Sequence, residues 1–129
     1  MSTVVTYIPK LQGRITTYIQ IAWALKTPVV LMNDVTYFPC IYEDITSFLD
    51  CMPELEYKPD IADCDNFAFI FKGIADTQYN SIGIVFGKFG GGLHAWNVAV
   101  TNRGVYQVEP QNKMIFKKHP EYRPMIVVI

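Results

Sequence analysis

Residues 82–101, IGIVFGKFGGGLHAWNVAVT, contain the pattern on which the predicted fold depends. In both halves of this stretch apolar side chains recur at every second position, which is typical of a strand with one buried face. They are Ile82, Ile84 and Phe86 in the first half, and Trp96, Val98 and Val100 in the second, where His94 shares their face. Three consecutive glycines lie between the halves and allow a tight turn. The stretch therefore predicts a β-hairpin.

Three further strands are expected after the hairpin. The turn at residues 102–104 leads into VYQVEP, where Pro110 should end the strand because proline donates no hydrogen bond to a ladder. The runs MIF at 114–116 and IVVI at 126–129 have the apolar and β-branched side chains that suit strands. The chain from about residue 80 to 129 thus predicts an antiparallel sheet.

The first half of the chain has the period of helices. Helices are predicted over residues 13–26, 41–52 and 64–75. Their apolar faces would be Ile15, Ile19, Ala22 and Trp23 in the first, Ile41, Ile45, Phe48, Leu49 and Met52 in the second, and Cys64, Phe67, Phe71, Ile74 and Ala75 in the third. A helical part in residues 1–76 followed by a sheet defines the α+β class, with residues 1–129 forming one domain.

Composition argues against several kinds of partner. The formal net charge is −1 and the longest basic run is Lys117-Lys118, so a nucleic-acid partner is not expected. No apolar stretch reaches the roughly 20 residues that cross a bilayer, so no membrane partner is expected, and no signal peptide is recognisable. The expected location is the cytoplasm, or the host cytoplasm if the chain is viral. An odd set of three cysteines predicts at least one free thiol.

Cys64 has the most reactive predicted setting of the three cysteines. It lies at the start of the third helix, where backbone N–H groups and the helix dipole favour a thiolate. Nucleophilic cysteine chemistry also needs an imidazole, and His94 lies on a strand expected to pack across that helix. The other histidine, His119, is expected on the surface. Cys64 and His94 are therefore the candidate nucleophile and base.

Glu109 is the candidate carboxylate that orients the imidazole, and its position depends on the strand register. If the loop between the two strands is residues 102–103, Glu109 lies diagonal to His94 on the same face. If Gly104 instead forms a bulge after a type I turn, Glu109 points to the opposite face. The sequence leaves both registers open, and Gln111 is the reserve candidate in the first of them.

Three short motifs occur in the order found in a known family. They are DCDNFAF at residues 63–69, GGLHAWNV at 91–98 and VEPQN at 108–112. By these motifs, residues 57–113 resemble the papain-like cysteine protease domain of the Marasmius oreades agglutinin family of mushroom lectins, and related small domains of bacteriophages and bacteria.

The resemblance implies a small papain-like fold and a cysteine hydrolase, a protease or amidase that works through an acyl-enzyme. Cys64 would be the nucleophile, His94 the general base and Glu109 the orienting acid of a catalytic triad acting on a peptide or protein substrate. The fungal proteins also carry a sugar-binding β-trefoil, which these residues are not expected to encode, so lectin activity is not implied.

A catalytically silent protein is the alternative within the same resemblance. It would keep the papain-like fold and serve in binding or inhibition, as a protein of phage origin could. Papain-like enzymes often have a glutamine shortly before the cysteine that stabilises the oxyanion, and this chain has Tyr57 and Lys58 there instead. That departure favours the alternative.

Two aspartates flank Cys64, and their charge disfavours a thiolate. Asp63 is expected to cap the third helix, and Asp65 to lie in its first turn, where the dipole favours acids. Members of the resembled family are calcium-dependent, which makes calcium the candidate cofactor and Asp63 and Asp65 its candidate metal ligands. A cation at this position would offset the charge beside the thiol.

Overall fold

The computed structural model describes residues 11–27, 29–59 and 63–129. Residues 1–10, which belong to the predicted helical part, lie outside the described residues, as do 28 and 60–62. The helices are α1 (Arg14–Leu25), α2 (Tyr42–Asp50) and α3 (Cys64–Ala75), and the strands are β1 (Gln12–Gly13), β2 (Val30–Leu31), β3 (Thr36–Tyr37), β4 (Ile82–Phe89), β5 (Gly92–Thr101), β6 (Gly104–Glu109), β7 (Met114–Phe116) and β8 (Tyr122–Val128).

A six-stranded sheet in the order β2-β8-β4-β5-β6-β7 forms the centre of the fold. Its neighbouring strands are antiparallel except for β2 and β8, which run parallel. β4 and β5 pair along their lengths, from Ile82 opposite Ala99 to Phe89 opposite Gly92. The predicted hairpin is therefore confirmed, and so are the strands that became β6 and β7.

The sheet separates two buried cores. Side chains alternate along β5, so its even-numbered residues face α1 and its odd-numbered residues face α2 and α3. The core on the α1 side includes Ile21, Leu25, Val85, Trp96, Val98 and Val100. The core on the other side includes Ile45, Phe48, Phe71, Ile82 and Ala99. A hydrogen bond of 2.9 Å from the Asn97 side chain to the Ala68 carbonyl oxygen ties β5 to α3.

The predicted arrangement of N-terminal helices followed by an antiparallel sheet is wrong. Three short strands lie among the helices. Within the described residues, those in strands outnumber those in helices, so the fold is β-rich. The run at 29–32 supplies β2. The carbonyl oxygens of Val29, just before β2, and of Leu31, within it, accept hydrogen bonds from the backbone N–H groups of Val127 and Ile129. These bonds make the main sheet mixed and cover what would otherwise be an open edge of β8. The single domain of residues 1–129 stays a prediction.

The apolar face predicted for α1 points to solvent. Ile15 and Trp23 are 77% and 80% exposed, whereas Thr17, Ile21 and Leu25 are buried. Because α1 is apolar on two sides, helical periodicity alone does not decide which side meets the sheet. The predicted faces of α2 and α3 are confirmed at Ile45, Phe48, Leu49, Phe67, Phe71 and Ala75, which are buried.

A bulge interrupts the pairing of β4 with β8. Phe86 pairs with Ile126, whereas Gly87 pairs with Pro124, so Met125 is an extra residue on β8. A bulge increases the local twist of a sheet and often lies beside a functional site. Pro124 is tolerated here because a bulge does not require every backbone nitrogen to donate.

Gly87→Ala tests the close packing at this bulge. A Cβ at residue 87 would overlap the carbonyl oxygen of Arg123 and lie 2.8 Å from the Trp96 ring. We expect the substitution to lower the free energy of unfolding by about 1–3 kcal/mol, measured by urea denaturation. The matched control is Gly73→Ala in α3, where a Cβ meets nothing within 4 Å. That change should stabilise the helix by roughly 0.5–1 kcal/mol. Equal effects of the two substitutions would contradict the packing described.

Candidate functional site

A cavity of about 420 Å³ opens at the bulge, between the start of α3 and the strands β4, β5 and β8. Apolar side chains form most of its wall. The wall also includes the thiol and two carboxylates of α3 and its cap, and an imidazole of β5. The residues that matter for its chemistry are Asp63, Cys64, Asp65, His94, Leu93 and Met125. Two of the three residues predicted to carry chemistry, Cys64 and His94, therefore line one cavity.

Cys64 is the first residue of α3 and is partly buried. It packs against a small cluster formed by Ala68, Ile84 and Ala95, which fixes one side of the thiol. The other side faces the cavity. Its position in the first turn places it beside backbone N–H groups that have no partner within the helix.

The three cysteines, all in the described part of the chain, are free thiols in different environments. Cys51 is exposed, and Cys40 is fully buried. Burial, helped by the charge of Asp44, raises the pKa of Cys40 to about 12. Cys40 is therefore an unreactive thiol in the folded protein, because the thiolate is the nucleophilic form.

Packing with other rings holds the imidazole of His94 in place. It stacks on Trp96 at a centroid distance of 5.7 Å, and the ring of Phe89 lies 5.6 Å away. The Nε2 atom is hydrogen-bonded to Oε1 of Glu109. Because Nε2 is engaged, Nδ1 is the ring nitrogen left for a ligand or for the thiol.

Glu109 is buried at the end of β6 and is 3% exposed. Thr101 pairs with Gly104, which is the register of a two-residue loop and places Glu109 on the face of His94. The alternative register with a bulge at Gly104 does not occur. The backbone nitrogen of Gln111, the reserve candidate, lies 3.5 Å from Glu109 Oε2, while the Gln111 residue itself is exposed.

Cys64 and His94 approach the cavity from opposite faces of the sheet. α3 packs on the face of Ala95, whereas His94 lies on the face of Trp96. The cavity has residues of both faces in its wall, at the position where the bulge twists the sheet. In the described part of the chain no hydrogen bond joins the two side chains, so they share the cavity and are not directly bonded.

Asp63 is the N-cap of α3, as the sequence predicted, and forms a capping box with Asn66. The side chain of Asp65 is hydrogen-bonded to Asp63, and this bond raises the pKa of Asp65. Ca²⁺ takes six to eight oxygen ligands, more than these two carboxylates supply. Among the described residues, no group of three or more acidic, histidine or cysteine side chains is arranged to hold a metal. Calcium at Asp63 and Asp65 stays a prediction.

Tyr122 is a residue of the site that sequence reasoning missed. Its hydroxyl donates a hydrogen bond of 3.0 Å to Glu109 Oε1, the oxygen that also contacts His94. The strand was predicted only from residue 126, because Pro124 discourages a strand assignment upstream. If the sequence interpretation allows a bulge at Pro124, the predicted strand extends back to Tyr122.

Two solved structures match this chain over most of its length. One is described as a PSL1a–E64 complex and matches with a TM-score of 0.77 at 22% identity, over 92% of this chain and 50% of that chain. The other is Polyporus squamosus lectin bound to the human-type influenza-binding epitope Neu5Aca2-6Galb1-4GlcNAc, with a TM-score of 0.73 at 22% identity, over 92% of this chain and 49% of that chain. This chain thus spans about half the length of each. No protein family and no curated protein matches it.

The likeness corrects the family and function expected from the sequence. The second of these structures carries the name of a lectin, where a papain-like protease domain was expected. This finding overturns three expectations from the sequence. They are the papain-like fold, the cysteine hydrolase with its catalytic triad, and the silent papain-like alternative. The expected peptide or protein substrate is corrected as well, because the partner named in the second structure is a glycan.

Among the described residues, no helix combines the length and apolar character needed to cross a membrane.

The raised pKa of Cys40 predicts that the protein loses stability in alkaline solution. Its pKa is raised from 9.0 to about 12 in the folded protein, so the unfolded chain loses this proton first. The contribution is fully present below pH 9.0 and is lost as the pH rises toward 12. Between about pH 8 and pH 10.5, urea denaturation should show a fall in unfolding free energy that is about 2 kcal/mol smaller for Cys40→Ala than for the unchanged protein.

Cys51→Ala is the control for this experiment, because Cys51 is exposed. Its alkaline loss of stability should match that of the unchanged protein. The same match for Cys40→Ala would show that Cys40 does not carry the effect.

Proposed function

We propose that this chain carries a reactive thiol site that forms a covalent bond with an electrophilic ligand. Cys64 is the nucleophile, His94 takes its proton and Glu109 holds the imidazole. The observation that carries the proposal is that Cys64 and His94 line one cavity while buried Glu109 engages Nε2. This leaves Nδ1 as the base, and a carboxylate on the far nitrogen stabilises the imidazolium that forms.

The reaction can be written with an epoxide such as E-64 as the ligand. The Cys64 sulfur forms a bond to an epoxide carbon as the thiol proton passes to His94, and the C–O bond opens. The resulting alkoxide takes the proton back from His94, so the product is a thioether bearing a hydroxyl group and nothing is released. One of the similar structures is named as an E64 complex, which supports the choice of this probe.

The wall of the cavity favours a ligand with an apolar part beside its reactive carbon. Leu93 and Met125 are 84% and 48% exposed, so they form an apolar rim at the mouth of the cavity. Burying this rim against a ligand would release about 25 cal/mol for each Å² of apolar surface removed from water. The carboxylates of Asp63 and Asp65 also line the cavity and suit a ligand with a positive charge.

We also propose that the protein works in a reducing compartment such as the cytoplasm. The free state of Cys40, Cys51 and Cys64 supports it, since free thiols persist where disulfides are kept reduced.

The rate of thiol labelling tests the proposed site. We expect iodoacetamide to modify Cys64 at least roughly tenfold faster than exposed Cys51, because an imidazole base activates only Cys64. His94→Ala should bring the rate at Cys64 down to that of Cys51. E-64 should add one equivalent to the protein and none to Cys64→Ala. Mass spectrometry of peptides gives the rate at each cysteine.

Cys51 and buried Cys40 are the internal controls. A Cys64 that reacts no faster than Cys51, with no effect of His94→Ala, would refute the proposal.

Glycan binding is a second candidate function, and exposed Trp23 favours it. Its indole is 80% exposed on α1 and lies beside a hollow that also includes Gln20, Lys117 and Lys118. An exposed ring can stack on the apolar face of a sugar, while amide and ammonium groups bond to its hydroxyls. The glycan named in the second similar structure contains Neu5Ac, whose carboxylate would suit the two lysines.

Titration with Neu5Aca2-6Galb1-4GlcNAc tests this candidate by calorimetry or NMR. We expect binding that weakens roughly tenfold, or about 1.4 kcal/mol, in Trp23→Ala, and weakens again when the glycan lacks Neu5Ac. Leu93→Ala is the control, because Leu93 is equally exposed but lies at the thiol cavity. No binding, or binding that is unaffected by Trp23→Ala, would exclude this surface.

A further inference from the structure

Glu109 accepts two hydrogen bonds at the same oxygen atom. Oε1 contacts Nε2 of His94 and also the hydroxyl of Tyr122 at 3.0 Å. The Glu109 residue is 3% exposed and Tyr122 is 7% exposed, so water has little access to this pair. A buried carboxylate needs donors to offset its desolvation, and Tyr122 is one of the two side chains that donate here.

The ring of Tyr122 has little freedom to move its hydroxyl away from Glu109. It packs edge-on against Trp96 at 5.1 Å and contacts Phe89 at 4.7 Å and Phe116 at 4.8 Å. It also meets His94 edge-on at 6.0 Å. The same ring therefore touches the imidazole and bonds to the carboxylate that orients it.

Tyr122 remains a hydrogen-bond donor over the working pH range. Burial, followed by the nearby charge of Glu109, raises its pKa well above the ordinary value of 10.0. A tyrosine that stays protonated always presents an O–H to Oε1. Tyr122 and His94 thus together hold Oε1 of Glu109.

We infer that Tyr122 is a positioning residue of the thiol site, which orients Glu109 and through it His94. The inference rests on the proposed function of Cys64, His94 and Glu109. Tyr122 does not line the cavity, so it acts through Glu109 and does not meet a ligand. It links β8 to β6 and so connects the bulged strand to the strand that carries the carboxylate.

Tyr122→Phe tests the inference because it removes the hydroxyl and keeps the ring. We expect the rate of E-64 labelling at Cys64 to fall roughly tenfold, as the loss of one hydrogen bond to a charged group implies. The dependence of the labelling rate on pH should also change, because the carboxylate that holds the imidazole loses one of its two side-chain partners. The rate at Cys51 in the same samples should not change.

Tyr79→Phe is the matched control. The Tyr79 hydroxyl donates to Asp44 Oδ2 at 2.8 Å, so this variant loses the same kind of bond at a position away from the cavity. Its pH profile at Cys64 should match that of the unchanged protein. A variant Tyr122→Phe that is less stable but keeps the unchanged rate and profile would overturn the inference and leave the proposed function intact.

The His94 ring N–H signal in proton NMR separates the inference from the proposed function. We expect a slowly exchanging Nε2–H signal in the unchanged protein, and a shifted or broadened signal in Tyr122→Phe but not in Tyr79→Phe. If Cys64 is unreactive while the signal responds in this way, the proposed function fails and the positioning of His94 by Tyr122 stands. An unresponsive signal refutes the positioning whatever the reactivity of Cys64.

Discussion

The ladder between β4 and β5 is the constraint on which the rest of the structure depends. Eight paired positions fix which residues of β5 face α1 and which face α3. A slip by one position would exchange Trp96 with Ala95, placing a large indole against α3 and leaving the α1 core without its largest side chain. The two cores are therefore filled only in the observed register, and burial on both faces makes that register strongly preferred.

The candidate site depends on two departures from a regular sheet. The bulge at Gly87 and Pro124 twists the sheet where the cavity opens, so that residues of both faces can line it. The two-residue loop after Thr101 places Glu109 on the face of His94. The thiol, the imidazole and the carboxylate thus belong to α3, β5 and β6, which the main sheet brings together.

Local pattern was enough to predict α2, α3, the hairpin and the cap at Asp63, because each depends on residues close in sequence. The pattern of α1 did not decide its buried face, since Ile15 and Trp23 are as apolar as Ile21 and Leu25. Tyr122 was missed for a different reason. Its partner Glu109 lies on another strand, and Pro124 hid the start of β8. The expected family was drawn from three motifs, and the likeness of the whole fold to lectin structures corrected it.

The sequence by itself determined the three helices, the β4–β5 hairpin and the strands β6 and β7, that Cys64 begins α3 and that His94 shares a face with Trp96. These properties follow from periodicity and from side chains acting on their own backbone. The tertiary structure alone decided the register of β5 and β6, the bulge beside Gly87, the outward face of α1 and the contact of Tyr122 with Glu109. Each of these depends on atoms distant in sequence, and their energies are settled only when the strands pair and the two cores close.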